Sequence, residues 1–141
     1  MPKVSVLLSN YNGDKHLDES ISSVLSQTYK DFEFIIVDDA STDSSRKVIE
    51  NYHDKRIKKY YAEKNRNIAY SLNLALSMAS GEYIARIDSD DAWELNKLEI
   101  QVQYMENHSE CGACFTKVNI IDEYSNIAND MYDEYFQLFN S

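Results

Sequence analysis

Three times in this chain a run of apolar and β-branched residues stops at a cluster of side-chain oxygens. Residues 3–9 run into Asn10, Tyr11, Asn12, Gly13 and Asp14. Residues 31–37 run into Asp38, Asp39, Ala40, Ser41, Thr42 and Asp43, and residues 83–87 into Asp88, Ser89, Asp90 and Asp91. Runs this apolar read as strands of a parallel sheet, buried on both faces. Helical spacing fills the gaps between them. A helix from Asp14 carries Leu17, Ile21, Val24, Leu25 and Thr28 on one face, and a second from near Asp43 carries Val48, Ile49 and Tyr52. A charged, alternating strand over 57–62 belongs near an edge. A turn at Asn65, Arg66 and Asn67 precedes a third helix with Ile68, Leu72, Ala75, Leu76 and Ala79, which Ser80 and Gly81 end as a glycine cap. A fourth helix over 92–107 (Leu95, Leu98, Val102, Met105) and a fifth strand over 112–118 follow. This alternation predicts an α/β fold, a Rossmann-like, doubly wound and mostly parallel sheet flanked by helices. Ligands of such sheets sit beyond the carboxyl ends of the strands, where all three polar clusters fall.

The third cluster has the most specific chemistry. On an extended backbone Asp88 and Asp90 point to one side and Ser89 to the other. Two adjacent hard oxygen donors suit Mg²⁺ or Mn²⁺ carrying a phosphate. Taken alone, the same acids could equally cap a helix. Three polar strand ends on one sheet edge favour a binding site over three separate caps. Neither G-x-G-x-x-G nor G-x-x-x-x-G-K-[ST] occurs, so phosphates must be held by metal and side chains rather than by a glycine-rich loop. A net charge of −10 argues against nucleic-acid binding. It leaves a phosphate ligand open, because a divalent cation can bridge acid to phosphate.

The 141 residues, 43% hydrophobic, suit one domain with a real core. With only 3 Gly and 1 Pro, Asn and Asp must take several turn positions. Cys111 and Cys114 form C-x-x-C without further metal-ligand spacing nearby and are expected to be small buried hydrophobes. His16, His53 and His108 are expected at the surface. No apolar run is long enough to span a bilayer and no signal-peptide pattern is present, so a cytoplasmic location is expected.

Four ordered blocks then carry a resemblance: residues 4–12, 23–29, 33–43 and 81–91. In order and spacing they resemble glycosyltransferase family 2, over residues 3–118. The resemblance implies the GT-A fold, a nucleotide-diphosphosugar donor (most often a UDP-sugar) and inverting transfer. It puts Ser9 and Tyr11 in the base pocket, and Asp39 on the base N–H with Asp38 as a structural neighbour. It also puts Asp88 near ribose and sugar, and Asp90 with Asp88 on a Mg²⁺ or Mn²⁺ ion. Arg66 lies in the loop where some members place a basic residue on the diphosphate, and Asp91 is expected to cap the helix starting at Ala92. Asn67 replaces a frequent glycine, which asparagine's tolerance of positive φ allows.

The family's catalytic base lies on a later segment, and none of the downstream acids carries a motif that marks it. The base is therefore expected beyond residue 141, with residues 1–118 as the donor-binding core. Residues 119–141 are expected as an aromatic helical tail (Met131, Tyr132, Tyr135, Phe136, Leu138, Phe139) that leads into an acceptor-binding segment or joins two copies. The acceptor implied by the resemblance is a surface polysaccharide or glycolipid, reached at the inner face of the membrane. Two other readings stay open. One is an inactive nucleotide-sugar-binding or scaffolding module. The other is a receiver-type signalling domain, suggested by Asp38 and Asp39 with Asp88 as phosphoacceptor.

Overall fold

A computed structural model describes residues 1–128. The tail helix expected over 130–139, and the contact between copies assigned to it, lie outside the described residues. Strands and helices alternate as β1 (Val4–Asn10), α1 (Asp14–Leu25), β2 (Phe32–Asp38), α2 (Ser45–Glu50), β3 (Ile57–Tyr61), α3 (Ile68–Met78), β4 (Tyr83–Asp88) and α4 (Lys97–Asn107). The sheet order is β3-β2-β1-β4 and every pairing is parallel. Ser9 faces Val37 on one side and Asp88 on the other, and Asn10 faces Asp38, so the three polar strand ends finish level. A receiver domain has β1 between β2 and β3. Here β2 lies between β1 and β3, which removes the receiver reading.

Alternation along the strands sorts two cores. On one face Val4, Val6, Leu8, Phe34, Ile36 and Ile87 pack with Leu17, Ile21 and Val24 of α1, Ile49 of α2, and Leu98 and Val102 of α4. On the other, Leu7, Ile35 and Val37 pack under Ala75 of α3, with Leu72, Leu74, Met78 and Ala79 around them. Each fully buried Leu, Ile or Phe contributes about 2 kcal/mol. The chain divides into two compact units, Met1–Tyr104 and Met105–Ser141. In the second, a bridge between Ile121 and Ile127 closes a loop in which Asp122 accepts the backbone N–H groups of Tyr124 and Asn126.

Several expectations are corrected. No strand forms over 112–118: no ladder partner pairs with it among the described residues, and Phe115 is 93% exposed. Cys111 and Cys114 form no disulfide and are half-buried rather than buried. Among the described residues β4 lies at the edge of the sheet and is not fully buried. Ile87 faces the first core, while Ile84 on the opposite face is exposed because α3 covers β1 and β2. The buried stripe of α3 runs through Ser71 and Ala75, leaving Ile68 and Leu76 exposed. α4 begins at Lys97, not Ala92, so Asp91 caps no helix. Gly13 rather than Asp14 is the N-cap of α1.

Gly81 is not a left-handed cap either. It is required because a Cβ there would lie 2.6 Å from the Ser5 backbone nitrogen and 2.7 Å from the Val4 carbonyl carbon. The positive-φ turns fall to Asn12, Ala40, Asn67 and Ser125, none of them glycine. Asn67 has the positive φ expected of it, 76°, but its ψ of 164° lies outside the left-handed region, in backbone that glycine favours; its side chain accepts the Tyr70 N–H. Ala40, at φ 61°, carries a Cβ against the following carbonyl. Ala40→Gly is expected to stabilise the fold by about 0.5–1 kcal/mol, net of glycine's larger unfolded-state entropy. Urea midpoints compare the two proteins, and a lower midpoint for the glycine variant would count against strain at this turn.

Candidate functional site

Sheet register brings the ends of β1 and β2 together, and side chains then tie their turns. Asn10 is 1% exposed and its Nδ2 donates to Asp38 Oδ1 at 3.0 Å and to Ser41 Oγ at 3.1 Å. Ser41 Oγ donates to the same Asp38 oxygen and accepts the Asn12 N–H. Asn12 Oδ1 accepts the Thr42 N–H at 2.8 Å. Asp14 and Asp43 cross over: Asp43 accepts the Asp14 N–H and Asp14 accepts the Ser44 N–H, both at 3.1 Å. Burial alone would raise the Asp43 carboxyl, but its bonds from Ser45 and Asp14 win and hold it below the usual range. Gly13 fits beneath this weave, since a Cβ there would meet Asn10 Oδ1 at 2.4 Å. Both carboxylate oxygens of Asp38 are thus engaged in building the turn.

Asp39 is buried, at 1% exposed, yet points the other way. Its own N–H donates to the Asn10 carbonyl at 2.8 Å. Its two carboxylate oxygens accept the Arg66 backbone N–H at 3.0 and 3.1 Å. The β3–α3 turn is therefore anchored on Asp39. The Arg66 guanidinium lies over the Tyr70 ring, 4.7 Å from its centroid, and donates to the Tyr70 hydroxyl at 2.8 Å. Tyr11, one residue past β1, leaves its ring half-exposed.

The acid cluster does not lie as an extended strand predicts. β4 stops at Asp88, and the chain turns through Ser89 and Asp90, with the Asp91 N–H donating to the Asp88 carbonyl at 3.2 Å. Asp90 is therefore not related to Asp88 by strand alternation. The residue that is so related is Arg86, whose guanidinium donates to Asp88 Oδ1 at 3.0 and 2.7 Å. The Asp91 carboxyl is pushed above the usual carboxylate range, first by loss of water and then by the negative charge of Asp88 and Asp90. Crowded hard oxygens of this kind fit a divalent cation, which relieves their repulsion. Among the described residues no three His, Cys, Asp or Glu side chains are arranged to hold a metal by themselves.

The sequence model described as Glycosyl transferase family 2 matches residues 5–139. The chain belongs to glycosyltransferase family 2. It is 43% identical over 102 residues to the Escherichia coli UDP-Glc:alpha-D-GlcNAc-diphosphoundecaprenol beta-1,3-glucosyltransferase WfgD, covering 72% of this chain and 40% of that protein. Among solved structures, S. aureus TarS 1-349 in complex with UDP-GlcNAc superposes with a TM-score of 0.72 at 32% identity, covering 76% of this chain and 32% of TarS 1-349. The mannosyltransferase PcManGT from Pyrobaculum calidifontis, in complex with GDP-Man and Mn²⁺, superposes with a TM-score of 0.67 at 29% identity, covering 74% of this chain and 32% of that one. The chain spans about half the length of the first curated relatives it matches, at 45%, 48% and 48%. The fold is GT-A.

Within this family 2 chain, Ser9, Tyr11, Asp39, Arg66, Asp88 and Asp90 all fall on the carboxyl edge formed by β1, β2, β4 and the turn after β3. Sequence reading missed Arg86, although its i, i+2 relation to Asp88 on a strand was available. It also gave no role to Ser20, or to Ser23 and Gln27 of the second block, whose side chains reach the backbone of Asp91, Trp93 and Glu94.

Proposed function

We propose that this chain is the donor-binding part of an inverting, metal-dependent glycosyltransferase that uses a nucleotide-diphosphosugar, with a UDP-sugar the favoured donor. The observation that carries the reading is the level finish of β1, β2 and β4, with Tyr11, Asp39 and the Asp88–Asp91 turn as neighbours on one edge. Tyr11 offers a half-exposed ring for stacking on the base beside Ser9, and Asp39 accepts the base N–H. Asp88 serves ribose and sugar, and Arg66 turns from Tyr70 toward the diphosphate. Asp90 and Asp88 are the residues to hold Mg²⁺ or Mn²⁺, whose remaining ligands come from donor phosphates, as Mg²⁺ sites commonly arrange. When bound, the ion offsets negative charge on the departing diphosphate. TarS with UDP-GlcNAc supports the donor class, PcManGT with Mn²⁺ supports the metal, and the diphosphoundecaprenol-linked sugar in the name of WfgD supports a lipid-linked acceptor. The acceptor in this reading is a polysaccharide or glycolipid reached at the inner face of the membrane.

Calorimetric titration of UDP, with and without Mn²⁺, tests this on the chain and on Asp90→Ala. Mn²⁺ is expected to strengthen UDP binding to the unaltered chain and to have no effect in the variant, and GDP and dTDP rank the bases. If a demonstrably folded chain bound none of these nucleotides, the donor-site reading would fall.

A further inference from the structure

The acid turn hangs between two anchors. One is β4 itself, paired with β1 up to Asp88 opposite Ser9. The other is one face of α1 and the residues just after it. Ser20 Oγ, wholly buried, donates to the Asp91 carbonyl at 2.6 Å. Ser23 Oγ accepts the Trp93 N–H at 3.1 Å. Gln27, also wholly buried, donates from Nε2 to the Glu94 carbonyl at 2.8 Å and accepts the Leu98 N–H on Oε1 at 3.0 Å. The Thr28 N–H donates to the Leu95 carbonyl at 2.9 Å. Positions 20, 23 and 27 recur at helical spacing, so one stripe of polar atoms meets the backbone of 91–98.

These bonds explain why 92–96 stays non-helical despite helical periodicity. Backbone groups that a helix would use are taken by side chains of α1 and by Gln27 just after it, and α4 starts at Lys97. The polar stripe lies beside Leu17, Ile21 and Val24, where an apolar stripe would bury more cheaply. Its effect is to fix the main chain from three residues beyond Asp88 onward. That leaves Ser89 and Asp90 as the short free span between anchors.

We infer that Ser20, Ser23 and Gln27 are positioning residues of the metal and donor site, holding the Asp88–Asp91 turn in the one geometry that receives a divalent cation. This rests on the donor-site reading. Residues that orient metal ligands change metal affinity by about 10–100-fold when altered. The variants are Ser23→Ala, Ser23→Thr (which keeps the hydroxyl) and Gln27→Met (which keeps the shape and loses both bonds). Ile49→Val, a packing loss under α2, serves as the control for lowered stability.

Mn²⁺ alone is titrated first, and paramagnetic broadening of the Ser89 and Asp90 amide signals is followed. UDP affinity with and without Mn²⁺ is then measured by calorimetry. Ser23→Ala and Gln27→Met are expected to need about tenfold more Mn²⁺ for equal broadening and to lose the Mn²⁺-dependent gain in UDP affinity. Ser23→Thr and Ile49→Val should match the unaltered chain. Because Ser23→Ala removes a single half-buried hydroxyl, it keeps the test open if Gln27→Met fails to fold. Equal Mn²⁺ response in Ser23→Ala and the unaltered chain would overturn the inference. If broadening separates the variants while UDP binds none of them, the positioning role stands and the donor-site reading falls.

Discussion

Glu33→Gln is expected to lower the unfolding free energy by about 3 kcal/mol at pH 7, and by progressively less as the pH falls below 5. Glu33 lies within β2 on the face covered by α3, at 6% exposed. Burial by itself would raise its carboxyl. Lys58 of β3, the Ser5 hydroxyl at 2.6 Å, the Ser80 N–H at 2.6 Å and the Ser80 hydroxyl at 2.9 Å outweigh burial and bring it from an ordinary 4.5 to about 2. Each tenfold in proton affinity is about 1.4 kcal/mol, which sets the magnitude. The sign follows from the direction. A carboxyl lowered on folding contributes its full stability above the unfolded value of 4.5, and loses it as pH falls toward the folded value of about 2. Asp54, lowered to about 2 chiefly by its Arg56 partner, titrates over the same window but is present in both proteins, so it cancels in their difference. Urea unfolding at pH 7, 5 and 3 measures that difference. A gap between the proteins that stayed constant with pH would mean that Glu33 acts through packing alone.

The same corner shows where sequence reading stops. The apolar body of β2 was legible, because period and β-branching sit in neighbouring residues. The role of its single glutamate was not, since its partners come from β1, β3 and the turn before β4. Gly81 was legible as a break but not as a close approach to Ser5, whose hydroxyl accepts the Gly81 N–H at 2.8 Å. The buried stripe of α3 was misjudged because Ser71, wholly buried, gives no hydrophobic signal. At 112–118 a strand-like composition was legible, but a strand needs a ladder partner.

The candidate site was legible wherever strand ends deliver residues directly, as with Tyr11, Asp39 and Asp88. It was misread at Asp90 and Asp91, because the extended-strand geometry was carried past the point where β4 turns. The side chains of α1 and of Gln27 just after it, which hold the following segment, lie about 70 positions away in sequence, at separations of 67 to 71. No local pattern announces such a contact. The positive φ of Asn67 was legible for the opposite reason, since it belongs to the residue and its turn alone, although its ψ of 164° was not.

Asp39→Asn is expected to weaken UDP binding about hundredfold, roughly 2.7 kcal/mol, with little loss of fold stability. The Asp39 carboxylate already accepts the Arg66 backbone N–H on both oxygens. Each oxygen has a second lone-pair direction, so a base N–H can still be accepted. Asparagine keeps one oxygen for Arg66 and so keeps the β3–α3 turn in place. Its amide then offers N–H groups where the carboxylate offered acceptors, and uracil N3–H meets a donor. Cytosine reverses the test, because its N3 is an acceptor. The unaltered chain should prefer UDP to CDP, and Asp39→Asn should narrow or invert that preference while GDP, whose N1–H is also a donor, weakens alongside UDP. Parallel titrations of UDP, GDP and CDP against both proteins read this out, with urea midpoints confirming that the turn survives. A uniform loss for all three nucleotides would mean that Asp39 acts only by anchoring Arg66, and base selection would then have to lie with Ser9 and Tyr11.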